Sequence, residues 1–344
     1  MNRKSIWTML TILWIGLALA VLPSAGEAGA TRQTVLVTTF PIYQIVRNVT
    51  QGRDGVKVDL MLPGQLGCPH DYTLTPQDMQ KLAKADILVV NGLGMEEFLG
   101  APVKKANANI TVIDSSMGIK ETLDYSEEHH HGDDHGHDHS EAGHNTEEPE
   151  HDHDVHDHDQ EHHHHGHDHH HSGANPHLFA SPRMTARLAM NIAAELSKAD
   201  PDGAAIYSRN AQAYAQTMNH LADDMAALGK LMKNNRIVEP HGVFDYLARD
   251  MGLTIVAVMQ AHGQEPSASE MMHLVETIRE KRAGAVFTEP QYPQKIGKAL
   301  SKETGVPVAM LDPAATGPEN APLTYYETIM RQNMKTLEST LGVK

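Results

Sequence analysis

The feature that most restricts the fold of this chain is an alternation of short apolar runs with amphipathic runs, which occurs twice. Eight segments have the length and apolar character of buried strands, four in each half: 34–39, 56–62, 87–90, 110–114, 236–239, 253–259, 284–288 and 307–311. Helical patterns separate them. Because strands that alternate with helices form parallel sheets covered by those helices, the sequence predicts two similar α/β lobes. We expect a mainly parallel four-stranded sheet in each lobe.

The stretch between the two halves predicts helices. Ser181 and Pro182 suit the N-cap and first position of one helix, and a second pattern extends from Ala204 to Leu231, some 28 residues. That length is unusual for a globular helix, so we expect a rigid connector that bridges the lobes, with a cleft between them. The expected division is an N-terminal lobe, a helical segment and a C-terminal lobe: 31–185, 186–234 and 235–344.

The first 30 residues are typical of a secretory signal peptide. Arg3 and Lys4 precede an apolar run at 6–22, and Ala28-Gly29-Ala30 supplies the small-residue cleavage pattern, so we expect cleavage near Ala30. An uncleaved membrane anchor is the alternative. Cys68 is the only cysteine, which rules out an internal disulfide and leaves no lipidation cysteine near residue 30. These features predict a periplasmic protein.

A strongly biased segment at 124–173 interrupts the first lobe. It contains 19 of the 25 histidines, and the stretch 126–171 contains 15 acidic residues and no Lys or Arg. A segment with so little apolar surface cannot offset the entropy of ordering, so we expect a disordered loop. Outside 126–171 the chain has 29 acidic and 28 basic residues. No basic stripe is present to neutralise phosphates, which argues against nucleic acid as a partner.

Outside this segment, three histidines and one aspartate occupy similar positions. His70 follows the second strand, His241 follows the fifth, Asp312 follows the eighth, and His177 precedes a helix. Loops beyond the carboxyl ends of parallel strands converge on a crevice, where three imidazoles and a carboxylate suit a tetrahedral zinc ion. Spacing alone leaves open that they are surface or helix-cap residues. For His220 and His273, two histidines expected on helices, a role as a surface or helix-cap residue is preferred to a role as a ligand.

Four motifs of the chain carry a family resemblance: PGQLGCPHDYTL, NPHLFASP, VEPHGVFDYLARDMGL and EPSASEMMHLVETIREKRAGAVFTEPQYPQKIGKALSKETGVPVAMLDPAA. Together they resemble the metal-binding receptors (cluster A-I) that serve bacterial ABC importers, and most of all the zinc-uptake, ZnuA-type branch. The resemblance covers nearly the whole mature chain outside the biased loop. It implies two α/β lobes bridged by one long helix, in agreement with the pattern of strands and helices.

The resemblance also implies a ligand set. The family's three histidine positions match His70, His177 and His241, and its acidic position matches Asp312, although water can take the fourth place. Histidine at the third position implies zinc as the cargo, and imidazole indeed suits zinc while manganese favours carboxylates. Copper and nickel would also fit such a site.

Four residues near these motifs depart from the family or are ambiguous. Gly242 stands where relatives usually have an acidic or amide residue, and Asn175 stands where they commonly have an aspartate. We therefore expect altered hydrogen bonds to the imidazoles. His262 is expected at the cleft edge and not as a ligand. Glu289 is either a support for a ligand or simply a buried, paired carboxylate.

The resulting functional hypothesis is non-enzymatic. The chain captures zinc in the periplasm as a monomer and delivers it to an ABC permease and its ATPase subunit, with periplasmic metallochaperones as further candidate partners. A manganese or other divalent-metal receptor, a surface adhesin and a zinc hydrolase are the alternatives, although H-E-x-x-H and G-x-S-x-G are absent from the sequence. The histidine-rich loop is interpreted as a metal-collecting or buffering arm, with a pH-sensitive polyelectrolyte and a solvated linker as competing interpretations.

Overall fold

The computed structural model describes residues 33–69, 72–124, 173–259 and 265–344. The signal-peptide prediction and nearly all of the histidine-rich loop lie outside these ranges, as do His70 and His262. Those predictions therefore stay predictions. Within the described ranges, no helix has both the length and the apolar character needed to cross a membrane.

The N-terminal half forms one parallel sheet with helices between its strands. Its elements are β1 Gln33–Val37, α1 Phe40–Thr50, β2 Val56–Leu60, α2 Pro76–Lys84, β3 Ile87–Val90, α3 Gly100–Ala106 and β4 Thr111–Asp114. The strand order is β2-β1-β3-β4, and every pairing is parallel. The local sequence sets the start of α2, where Thr75 and Asp78 form a reciprocal capping box and Pro76 occupies the first turn.

The C-terminal half repeats this architecture after two helices, α4 Pro182–Ala199 and α5 Ala204–Leu231. Its elements are β5 Arg236–Glu239, α6 Asp245–Met251, β6 Thr254–Val258, α7 Ala268–Glu280, β7 Ala285–Thr288, α8 Lys295–Thr304, β8 Val308–Met310 and α9 Tyr325–Leu341. The strand order is β6-β5-β7-β8, again parallel throughout. The predicted fold class, with two four-stranded sheets and a long helix, is confirmed.

Helix α5 links the two halves through its buried face. It packs against α1 of the N-terminal half, against α4, and against α6 and α9 of the C-terminal half. Residues along that face, such as Tyr207, Leu221 and Met225, belong to one apolar cluster that extends from Val35 of β1 to Phe287 of β7. Burial of such side chains contributes about 1.5–3 kcal/mol each, so a shared core of this kind resists separation of the two sheets.

Candidate metal centre

The order of the strands brings several polar side chains to one edge of the C-terminal sheet. β7 lies between β5 and β8. His241, Glu289 and Asp312 follow the carboxyl ends of these three strands, so the topology makes them neighbours. Cys68 lies on the loop after β2, and His177 lies just before α4, where it opens a short 3₁₀ turn. Side chains from both halves of the chain therefore meet at this edge.

Three of these side chains form a cluster suited to a metal ion. One ligand atom each from Cys68, His177 and His241 lies within 4.8 Å of the others. His177 is fully buried, His241 is 6% exposed, and Cys68 is half-buried. Ligand atoms around a tetrahedral zinc ion lie roughly 3.5 Å apart, because its bonds to nitrogen and sulfur are about 2.0–2.3 Å long. Small side-chain adjustments would bring the three atoms to that geometry.

The amide of Asn175 orients His177. The Asn175 Nδ2 group donates to Gly242 O at 2.7 Å and to Asp245 Oδ2 at 2.8 Å. Because both partners are acceptors, the amide nitrogen must point at them, and the amide oxygen must point at His177. That oxygen lies 2.9 Å from both the backbone nitrogen and ring Nδ1 of His177. The proton of the neutral ring is therefore on Nδ1, and the lone pair is on Nε2.

The backbone of the Asn175-Pro176-His177 segment is held from both sides. Asn91 Nδ2 donates to Pro176 O at 2.9 Å, and Tyr246 Oη donates to Asn175 O at 2.7 Å. Asn91 follows β3, whereas Tyr246 lies in α6, so the two halves of the fold both anchor this loop. The protein's own contacts thus hold the segment that carries the His177 ring, which lowers the entropic cost of binding an ion there.

His241 is oriented by a carboxylate. Its Nδ1 lies 2.9 Å from Glu289 Oε1, and Glu289 is almost completely buried. Burial by itself would lower the pKa of His241, but the Glu289 charge and hydrogen bonds to Cys68 and Glu289 raise it well above its ordinary value. When the ring is neutral, its proton stays at Nδ1 opposite Glu289, so Nε2 carries the lone pair. A histidine bound to a carboxylate in this way is a common arrangement in metal sites.

The turn that carries His241 is built around two further features. Glu239 is fully buried, and its Oε2 accepts a hydrogen bond of 2.8 Å from Phe244 N, which closes the loop over 239–244. Burial, followed by the charge of Asp245, raises the pKa of Glu239 well above its usual range. Gly242 has φ of +78°, in the region that glycine adopts without strain. Gly242 O accepts a hydrogen bond from Asn175 Nδ2, so these two residues are in direct contact; the expected change relative to the family stays a prediction.

Asp312 lies close to this cluster but is held differently. Its Oδ1 accepts a hydrogen bond of 2.8 Å from Ala314 N, and its backbone exchanges hydrogen bonds with the Asn333 amide. Burial raises its pKa, and the charge of Glu289 acts in the same direction. In the part of the chain that the structure describes, Asp312 is not a member of the three-residue cluster. Its role as a ligand stays a prediction, as does that of His70.

The sequence interpretation missed Cys68 as a member of the cluster and left the role of Glu289 undecided. Cys68 was considered only for disulfides and lipidation, although its place two residues before the predicted ligand His70 was a usable signal. Glu289 is buried and its Oε1 lies 2.9 Å from His241 Nδ1. Either interpretation allows this contact, so a supporting role for Glu289 at a metal site stays a prediction. His220 and His273 lie exposed on α5 and α7, away from the cluster, as expected.

Comparison with known proteins gives one family. A family model described as "Zinc-uptake complex component A periplasmic" matches residues 35–340. The zinc-binding protein AdcA of Streptococcus pyogenes serotype M3 is 27% identical over 347 residues, which cover 99% of this chain and 62% of that protein. The high-affinity zinc uptake system protein ZnuA of Bacillus subtilis is 27% identical over 314 residues, covering 90% and 88%. The chain thus spans less than two thirds of the length of the first of these relatives.

Solved structures agree with the fold. A zinc-bound ZnuA from which residues 138–173 of its own sequence are deleted is 25% identical, with a TM-score of 0.67, over 91% of this chain and 99% of that one. The binding protein FpvC of Pseudomonas aeruginosa in complex with Ni²⁺ is also 25% identical, with a TM-score of 0.69, over 90% and 97%. FpvC has also been solved with Mn²⁺. Proteins of this architecture therefore carry more than one kind of divalent ion.

Proposed function

We propose that the chain, which belongs to the family of periplasmic zinc-uptake complex component A, captures Zn²⁺ with high affinity and delivers it to an ABC permease. The observation that carries the proposal is the pair of buried imidazoles, His177 and His241, each with Nδ1 turned toward a fixed oxygen. Their Nε2 atoms are thereby made the metal-binding atoms. His70 and Asp312 complete the proposed ligand set.

A receptor is favoured over a zinc hydrolase by the state of the carboxylates. A hydrolytic zinc site needs an open position and a base that can accept a proton from the attacking water. Glu289 is already engaged by His241 and by the amide of Gln291, and Asp312 accepts from Ala314 N. With Glu289 engaged by His241 and Gln291, and Asp312 proposed as a ligand, neither carboxylate is left as a base, so the site is better suited to hold an ion than to activate water.

The choice of zinc follows from the donor atoms. Imidazole nitrogens suit zinc, whereas manganese prefers a shell richer in oxygen. FpvC, a relative in fold, is described in complexes with Ni²⁺ and Mn²⁺, which keeps a receptor for another divalent ion as the second candidate function. The proposed partners are the permease and ATPase of an importer, and the proposed location is the periplasm.

The histidine-rich loop is proposed to collect metal near the cleft, and its removal is the first test. Asp124 and Ala174 pair in an antiparallel bridge, and Asn175 N donates to Leu123 O at 2.7 Å. The ends of the loop therefore lie side by side, and a short linker can replace residues 126–172. Zinc titration by calorimetry should then show one tight site, with the weaker ones lost. A relative that keeps zinc after deletion of its segment 138–173 supports this expectation.

The same loop-deleted protein tests the identity of the metal. Competition between zinc and manganese should leave zinc bound even when manganese is in large excess. A preference for manganese would overturn the zinc proposal, while disappearance of the tight site together with the loop would overturn the assignment of the cleft as the seat of binding. The full-length protein, measured in parallel, is the control for both experiments.

The support that Glu289 gives to His241 can be tested by Glu289→Gln. Loss of the carboxylate charge weakens the hydrogen bond at Nδ1 and makes Nε2 a poorer donor to the metal. We expect zinc affinity to fall by about 10–100-fold, the range typical of such supporting residues. Chelator competition measures the change, and Glu303→Gln, on the exposed surface of α8, is the matched control. An affinity equal to that of the control would mean that His241 does not depend on Glu289.

A further inference from the structure

We propose that Cys68 is a ligand of the cleft metal ion, so that a thiolate sulfur binds it together with His177 and His241. This inference rests on the proposed function as a metal receptor; in a four-coordinate site the sulfur takes the position proposed for Asp312, which is not in the cluster of described ligand atoms. The geometric basis is the cluster itself, in which the three ligand atoms lie within 4.8 Å of one another. Among the residues that the structure describes, this is the group of His, Cys, Asp and Glu side chains that could hold an ion.

The surroundings of Cys68 distinguish it from a structural cysteine. A buried cysteine without chemical function usually packs as a small apolar side chain. Cys68 does touch the apolar core with part of its surface, but its sulfur lies within 4.8 Å of a ring nitrogen of His177 and of His241. His241 and His177 in turn stack edge to face, with ring centroids 5.3 Å apart. The sulfur therefore faces two imidazoles and not an apolar pocket.

The loop that carries Cys68 is held on both sides. Before it, Leu66 N donates to Pro63 O at 2.9 Å, and after it, Tyr72 N donates to Pro69 O at 3.1 Å. The loop is also tied to the C-terminal half, because Gly317 N donates to Gly64 O at 2.8 Å. These contacts hold the backbone before and after Cys68, whose sulfur lies within 4.8 Å of a ring nitrogen of each imidazole.

Binding through sulfur has a defined proton balance. The Cys68 thiol gives up its proton to solvent, and the thiolate donates an electron pair to the divalent ion; no oxidation or reduction takes place. The thiolate contributes one negative charge to a centre whose imidazoles are neutral. Because thiolate favours zinc and other thiophilic ions while manganese favours oxygen, Cys68 would also increase selectivity against manganese.

Cobalt spectroscopy tests this assignment directly. Co²⁺ substitutes for Zn²⁺ in such sites, and a bond from thiolate to Co²⁺ gives an intense charge-transfer absorption in the near ultraviolet. Since Cys68 is the only cysteine of the chain, any such band in the full-length protein reports on this residue, however many ions the histidines bind. With one equivalent of Co²⁺ and a non-thiol reductant, we expect the band to appear, to be lost in Cys68→Ser, and to disappear when zinc is added.

The possible failures are distinguishable. Visible cobalt absorption that zinc displaces, without the near-ultraviolet band, would overturn the sulfur ligand and leave the proposed receptor function intact. No zinc-displaceable cobalt at all would count against both. A second variant, Cys68→Asp, replaces sulfur by oxygen while keeping a negative charge, so its preference for zinc over manganese should fall. An unchanged preference in that variant would contradict the inference, and His220→Ala, on the exposed face of α5, should keep the band.

Discussion

Replacing His241 by alanine is expected to abolish tight zinc binding and, with it, the stabilisation that zinc gives to the folded protein. A ligand at 100 times its Kd stabilises by about 2.7 kcal/mol, and a 100-fold loss of affinity reduces this gain to about 0.4 kcal/mol. The measurement is the rise in Tm on addition of zinc to the loop-deleted protein. His177→Ala should behave in the same way, because its Nε2 is the other fixed imidazole donor.

The quantity to compare between variants is the zinc-induced rise in Tm, and not the Tm of the metal-free protein. His241→Ala leaves the buried carboxylate of Glu289 without its imidazole, so some loss of stability is expected even before metal is added. His220→Ala is the matched control, since His220 is exposed on α5. If His241→Ala kept the full zinc-induced shift while the control did too, the cleft would not be the site of tight binding.

Gly229→Ala is expected to destabilise the protein although alanine is the better helix former. Gly229 lies near the end of α5, where a Cβ atom would stand 1.9 Å from Met251 O and 2.9 Å from Met251 C. The obstacle is the backbone at the end of α6, which cannot move aside as a side chain can. We expect a loss of about 1–3 kcal/mol from overpacking, more than the gain of about 1 kcal/mol in helix propensity. Urea denaturation measures the difference.

The matched substitution is Gly100→Ala in α3, where no atom lies within 4 Å of the added carbon. That change should be neutral or slightly stabilising. Zinc affinity of Gly229→Ala is a second readout, because a shift of α6 moves Asp245 and Tyr246, which contact Asn175. Equal stability of the two variants would mean that α5 and α6 can separate at little cost.

The elements of the fold were predictable wherever the local sequence carried a strong signal. The predicted helix 204–231 coincides with α5, and the strand 236–239 coincides with β5, because their patterns end at clear changes in polarity. The segment 110–114 was predicted one residue longer than β4, since the pairing with β3 starts only at Thr111. The short helix α3 has no side-chain cap, and although a helix was expected between the third and fourth strands, its bounds were not predicted.

The candidate site was less accessible to sequence reasoning, because its contacts are distant along the chain. His177 and His241 could be picked out through a motif. Cys68 lies two residues before the motif histidine His70, but that position does not show that its sulfur lies near imidazoles more than a hundred residues away. The role of Asn175 depends on which end of its amide points at His177, and Gly242 O and Asp245 decide that only in the folded protein.

Through the Asn175 amide, the orientation of the His177 ring depends on the C-terminal half of the molecule. Its oxygen aligns His177, while its nitrogen binds Gly242 O beside His241 and Asp245 at the start of α6. A rigid-body opening of the cleft would break the nitrogen contacts and free the amide to rotate, and His177 would lose its preferred tautomer. If the proposed ion binds in this cleft, its occupancy is thermodynamically linked to the relative orientation of the lobes, and a permease that separates the lobes would also weaken binding of the ion.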